Sequence, residues 1–134
     1  MNANCWQSCN TRKLKQLLNS TRFLVNIKYA FQDRENLYLV SDLLTGGDLR
    51  FHIGKRKRFT ENETRFMMGC LILGLEYMHT QNVLHRDIKP ENIIMEENGY
   101  LRITDFGISK MWRQDNNMDT SGTPGYMAPE IMCR

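Results

Sequence analysis

The chain has 134 residues, 41% of them hydrophobic and 25% charged, with 18 Lys and Arg against 15 Asp and Glu for a net charge of +3. That length suits one domain with a core, and the ordinary composition excludes a disordered or fibrous chain. The charge is too mild to imply nucleic acid, no apolar run is long enough to span a bilayer, and residues 1–10 lack the apolar stretch of a signal peptide, so a cytoplasmic or nuclear protein is expected.

In chain order, residues 11–19 read as a short basic helix with Leu14, Leu17 and Leu18 on one face. Residues 23–31 are strand-like, with Phe23, Val25, Ile27 and Tyr29 alternating, and residues 37–41 form the return strand of a hairpin after a polar turn. Gly46-Gly47 breaks the chain, and Asp48 is placed to cap a short helix running to about Ile53. Thr60 with Glu63 is a capping-box signature for a long helix that ends near Thr80. Phe66, Cys70, Leu73 and Tyr77 recur on it at steps of three and four, with Met67, Leu71 and Met78 widening the apolar face. Two short strands, residues 93–95 and 101–103, flank the turn signal Asn98-Gly99. From Asp105 onward the chain reads as loop. The four cysteines, Cys5, Cys9, Cys70 and Cys133, form no metal-ligand pattern and read as reduced thiols, with Cys70 buried in the long helix.

The stretch His85-Arg86-Asp87-Ile88-Lys89-Pro90-Glu91-Asn92 carries the chemistry. Asp105-Phe106-Gly107 begins eighteen residues after Asp87, and Ala128-Pro129-Glu130 begins twenty-three residues after Asp105. A lone aspartate in a loop is usually a turn residue or helix cap, but these three motifs in this order and spacing resemble the eukaryotic protein kinase family over residues 14–130. Phosphoryl transfer needs positioning and charge neutralisation, with a carboxylate to orient the attacking hydroxyl and oxygen ligands for Mg²⁺. The resemblance implies Asp87 as the catalytic base, Lys89 as the lysine that reaches the transferred phosphate, and Asn92 and Asp105 as Mg²⁺ ligands. Lys89-Pro90 is similar to the Ser/Thr class. His85 and Phe106 are implied to stack behind the site, and Gly107 is read as a backbone pivot.

The segment Val40 through Asp48 resembles the hinge of kinases related to the cyclic-AMP-dependent enzyme. That likeness implies Ser41 as gatekeeper, backbone groups of Asp42 and Leu44 at the adenine edge, and Asp48 at the ribose or a substrate arginine. Ile94 is implied as the apolar floor, with Thr104 just before the metal aspartate. Glu91 is counted with the nucleotide site, and with Asp48 it sets carboxylates where related kinases meet basic residues upstream of the phosphoacceptor. The order of motifs is most similar to the AGC group, including its "yet another novel kinase" branch, with the calmodulin-dependent group the near alternative.

The expected fold is α+β, a partial protein-kinase-like domain over residues 1–134. It comprises a small-lobe remnant at about 11–41, a hinge at 42–48 and a truncated large lobe at 49–134. No glycine-rich phosphate loop and no VAxK lysine precede the hinge. ATP and Mg²⁺ are the implied cofactors and protein Ser/Thr hydroxyls the substrates, yet the isolated chain is expected to be nearly or wholly inactive. The alternative reading is a catalytically dead kinase-like module that regulates a partner; a fragment without function is a third. Phe66, Leu73, Ile93 and Ile94 are expected to need helices beyond the chain, leaving apolar surface. In AGC kinases a phosphothreonine lies three residues before the glycine of the Gly-Thr-Pro segment, gripped by the arginine that corresponds to Arg86. That position here is Asp119, followed by Thr120, with Thr123 in the Gly-Thr-Pro segment itself, so Arg86, Asp119, Thr120 and Thr123 are the candidate regulatory residues.

Overall fold

The structure, a computed structural model, describes residues 21–114 and 119–133. The helix expected at residues 11–19 lies outside them, as do Cys5 and Cys9. Strands β1 (Ile27–Gln32) and β2 (Leu37–Ser41) form an antiparallel hairpin. Helix α1 (Leu49–Arg56) and the long α2 (Glu61–Thr80) follow. Then come β3 (Val83–Leu84), a 3₁₀ turn at Pro90–Asn92, β4 (Ile93–Met95), β5 (Leu101–Ile103), β6 (Lys110–Met111) and a one-turn α3 (Pro129–Met132). β4 pairs with β5 and β3 with β6, both antiparallel, so the α+β reading holds.

The start of α2 follows from its sequence. Thr60 accepts from the backbone N–H of Glu63, and Glu63 accepts in return from the N–H of Thr60 at 2.8 Å, so two orphan donors are satisfied. The helix buries Met67, Cys70, Leu71, Gly74 and Met78. Met67, Cys70, Leu71 and Met78 are buried as expected, and Phe66 and Leu73 leave the apolar surface expected of them. Phe66 and Leu73 are 46% and 48% exposed, because β5 packs along the neighbouring stripe. Gly74 permits the approach: a Cβ there would lie 3.1 Å from Ile103 Cδ1 and 3.3 Å from Phe23 Cβ. Leu24, Met78, Leu101 and Ile103 are the most deeply buried side chains, each worth about 1.5–3 kcal/mol of hydrophobic stabilisation.

Four expectations change. The strand expected over residues 23–31 is split. Leu24 bridges Ile103 in parallel, with Val25 N–H donating to Ile103 O at 3.0 Å and Ile103 N–H to Phe23 O at 2.9 Å. Only from Ile27 does the chain pair with β2, with a register shift between Ile27 and Tyr29. α1 runs past Ile53 to Arg56, where Lys57 turns to φ 64° and its N–H closes on Ile53 O. Ile93 is buried within the described core and Ile94 half-buried, so neither waits for an outside partner. The stretch after Asp105 is not all loop, since it contributes β6 and α3.

Candidate active site

Two loops meet beside the β4–β5 hairpin. The first, residues 85–92, leaves β3 and ends in the 3₁₀ turn; the second begins at Asp105, where β5 ends. His85 joins them. Its Nδ1 accepts from the Asp87 N–H at 3.2 Å, which leaves Nε2 as the donor to Thr104 O at 2.9 Å. Phe106 meets its ring edge-on at 5.4 Å. Burial holds the His85 imidazole below its ordinary pKa, so the ring is neutral at pH 7.

Asp87 is the centre of the site. Its Oδ2 accepts from Lys89 Nζ at 2.8 Å and from Asn92 Nδ2 at 3.0 Å, and its Oδ1 accepts from Thr123 Oγ1 at 2.5 Å. Lys89 Nζ also donates to Thr123 Oγ1 at 2.8 Å, so the threonine hydroxyl bridges base and lysine. Burial alone would raise the Asp87 carboxyl, but the hydrogen bonds from Lys89, Thr123 and Asn92 outweigh it, and the group sits below the usual carboxylate range. The bond to Asp87 raises Lys89 in turn, so both are charged at neutral pH. An ionised carboxylate has about four lone-pair sites. Three are used, which leaves one on Oδ1 for an incoming hydroxyl.

Both side-chain hydrogen bonds of Asn92 leave through Nδ2, to Asp87 O and Oδ2. Its amide oxygen is therefore the end available to a cation. Asp105, at φ 61°, takes the N–H of Gly107 on Oδ1 at 3.2 Å. One carboxylate and one amide oxygen suit Mg²⁺, which keeps waters or phosphate oxygens for its other positions. The described residues hold no cluster of three or more His, Cys, Asp or Glu fit for a closed metal cage.

The other predicted residues fall around this centre. Ser41 ends β2, and its hydroxyl donates to Asp42 O at 3.3 Å. The Asp42 N–H is already bonded to Asn26 O at 3.1 Å. Leu44 lies in the connection to α1. Asp48 caps α1, with Oδ1 accepting from Phe51 N–H at 2.7 Å, and forms a backbone bridge to Ile94. Thr104 N–H bonds Asn92 O at 2.9 Å. Glu91 is exposed on the 3₁₀ turn. Arg86, at φ 71°, donates from Nε to Ile108 O at 2.7 Å and from NH1 to Asp119 Oδ2 at 2.8 Å. Lys110 Nζ reaches the same Asp119 oxygen at 2.6 Å, and this bond, with the nearby charge of Lys110 and Arg86, lowers the Asp119 pKa despite the opposing effect of burial. Thr120 is exposed beside it.

Sequence reasoning missed Lys110 as a partner of Asp119, the direct seat of Thr123 on Asp87, and the ion-pair cluster of Arg102 with Asp42. A lone arginine between Leu101 and Ile103 was the available sign of the last, because a buried strand rarely spends a middle position on charge without a partner.

A carboxylate held by a lysine and an asparagine, with a second carboxylate on the neighbouring loop, is an arrangement that phosphoryl-transfer sites use. The chain belongs to the protein kinase domain family, whose profile matches residues 6–134. It is 46% identical over 127 residues to a Dictyostelium discoideum protein named as a probable serine/threonine-protein kinase, covering 92% of this chain and 28% of that one. It is 44% identical over 110 residues to human serine/threonine-protein kinase 32B, covering 81% of this chain and 27% of that protein. Against serine/threonine-protein kinase SCH9 of Candida albicans the identity is 42% over 118 residues, covering 84% of this chain and 15% of the relative. The chain thus spans between 15% and 28% of the length of these three relatives.

Proposed function

We propose that these residues form the catalytic and metal-binding loops of a serine/threonine protein kinase that transfers the γ-phosphoryl group of ATP to protein Ser or Thr hydroxyls. The observation that carries this reading is the three-way hold on Asp87 by Lys89, Asn92 and Thr123. Such a hold fixes the carboxylate so that its remaining lone pair orients the substrate hydroxyl, and the low pKa makes it an orienting acceptor that takes the proton late. Lys89 is positioned to balance charge on the transferred group. Mg²⁺, when bound by Asn92 and Asp105, supplies neutralisation of the phosphate oxygens. The segment from Ser41 through Leu44 and the side chain of Ile94 receive adenine. Asp48 and Glu91 favour basic residues before the phosphoacceptor.

Asp119 acts in this reading as a permanent anion at the position where related kinases carry a phosphate. Its bonds to Arg86 and Lys110 tie the segment that bears Thr123 to the catalytic loop.

The test is phosphoryl transfer from labelled ATP to an Arg-containing Ser/Thr peptide by the full-length protein. Asp87→Asn should lower the rate by about 10²–10³ while leaving Mg·ADP affinity within about threefold. A chain that binds nucleotide but transfers no faster than its Asp87→Asn variant is a kinase-like binding module instead.

A further inference from the structure

Arg102 occupies the middle of β5, between two fully buried residues, and its guanidinium holds two carboxylates at once. NH1 lies 3.0 Å from Asp42 Oδ2, and NH2 pairs with Glu96. The three side chains are only 16%, 20% and 18% exposed, so solvent screens them little. Asp42 also takes Asn26 Nδ2 at 2.8 Å and Lys28 Nζ at 3.1 Å. These attractions outweigh the effect of burial and keep the carboxyl below its ordinary pKa.

The pairing joins two parts of the chain 60 residues apart. Asp42 follows β2 directly and belongs to the segment assigned to the adenine edge. Arg102 lies on β5 three residues before Asp105, the strand ending between them at Ile103. Neighbouring bonds fasten the same two parts, with Met95 N–H on Gly47 O at 2.9 Å and Thr45 Oγ1 on Glu97 at 2.9 Å. Among them Arg102 alone is charged on both arms, and planar two-pronged donation fixes angle as well as distance.

We infer that Arg102 is a positioning residue for nucleotide binding: it sets the separation between the segment that meets adenine and the aspartate that meets the metal-bound phosphates. A ligand that touches both ends gains from this rigidity, whereas one that touches a single end does not. The inference rests on the kinase reading of those two ends.

The test uses calorimetric affinities of the full-length protein for adenosine and for Mg·ADP. In Arg102→Met the ratio of the two dissociation constants, adenosine over Mg·ADP, should fall about tenfold. Arg102→Lys keeps the charge and the fold but not the two-pronged geometry, and should fall between. A merely structural loss reduces the competent fraction and weakens both ligands by one factor, leaving the ratio unchanged. An unchanged ratio in both variants overturns the inference while the kinase reading stands. Failure of the unaltered protein to bind either ligand overturns the kinase reading, and the inference with it.

Discussion

Replacing Gly46 by alanine should loosen the segment that leads into α1. A Cβ at Gly46 would lie 1.9 Å from the Met95 carbonyl oxygen and 2.7 Å from its carbon, both backbone atoms that cannot rotate away. The two strands of chain must part by about 1 Å before the contact is tolerable. The Met95 N–H to Gly47 O bond at 2.9 Å and the Thr45 to Glu97 bond at 2.9 Å span this gap. Losing both, at about 1 kcal/mol net each, destabilises the fold by about 2 kcal/mol. For a chain of this size that is a drop of about 7 °C in Tm. Gly47→Ala is the control. Its φ is +77°, so alanine is strained there, but its Cβ would meet only side chains, the nearest at 3.6 Å. Circular-dichroism melts of both variants decide the matter. If Gly46→Ala melts within a degree of the unaltered chain, or above Gly47→Ala, the backbone contact is not what holds this segment.

The Asp119 clasp predicts that Asp119→Ala lowers kinase activity several-fold in the full-length protein while Thr120→Ala changes it little; loss of activity on Thr120→Ala alone would point to conventional phosphorylation. Thr60→Ala should destabilise α2 by about 1 kcal/mol in denaturant titration, and an effect below about 0.3 kcal/mol would mean the capping box is not made in solution. Glu63 is held at about 2, against 4.5 ordinarily, first by the Thr60 N–H and then by Arg56 and the Thr60 hydroxyl. Its stabilisation is therefore full above pH 4.5 and lost as pH falls from there towards 2. Glu63→Gln should flatten that acid limb of the stability curve, and an identical limb in both proteins would count against the assignment. Peptide arrays should show Arg or Lys before the phosphoacceptor; a proline-directed or acidic preference would remove Asp48 and Glu91 from substrate selection.

Much of this was legible in the chain because the signals were local. Thr60 and Glu63 set the start of α2, Asn98-Gly99 set the β4–β5 turn, and the spacing of the motifs around Asp87, Asn92 and Asp105 pointed to the protein kinase family. What escaped was decided by packing between distant segments. Periodicity put an apolar stripe on α2 but did not say which edge β5 would cover, and it was the small Gly74, rather than Leu73, that set the contact. Residues 23–25 alternate like the strand that follows, yet pair with Ile103 because that exchange buries Leu24 completely. The reach of Thr123 to Asp87 spans 36 residues, and no local pattern reports a contact of that kind.

Two residues near the catalytic centre, Arg86 and Asp105, hold left-handed backbone that glycine adopts freely and they do not. Each carries strain of roughly 1 kcal/mol or more. Glycine at either place would relieve that strain but would also remove the bonds these side chains make, Arg86 to Ile108 O and Asp119, and Asp105 to the Gly107 N–H. The left-handed backbone thus sets where each side chain leaves its loop, and the contacts made there offset the strain beneath them.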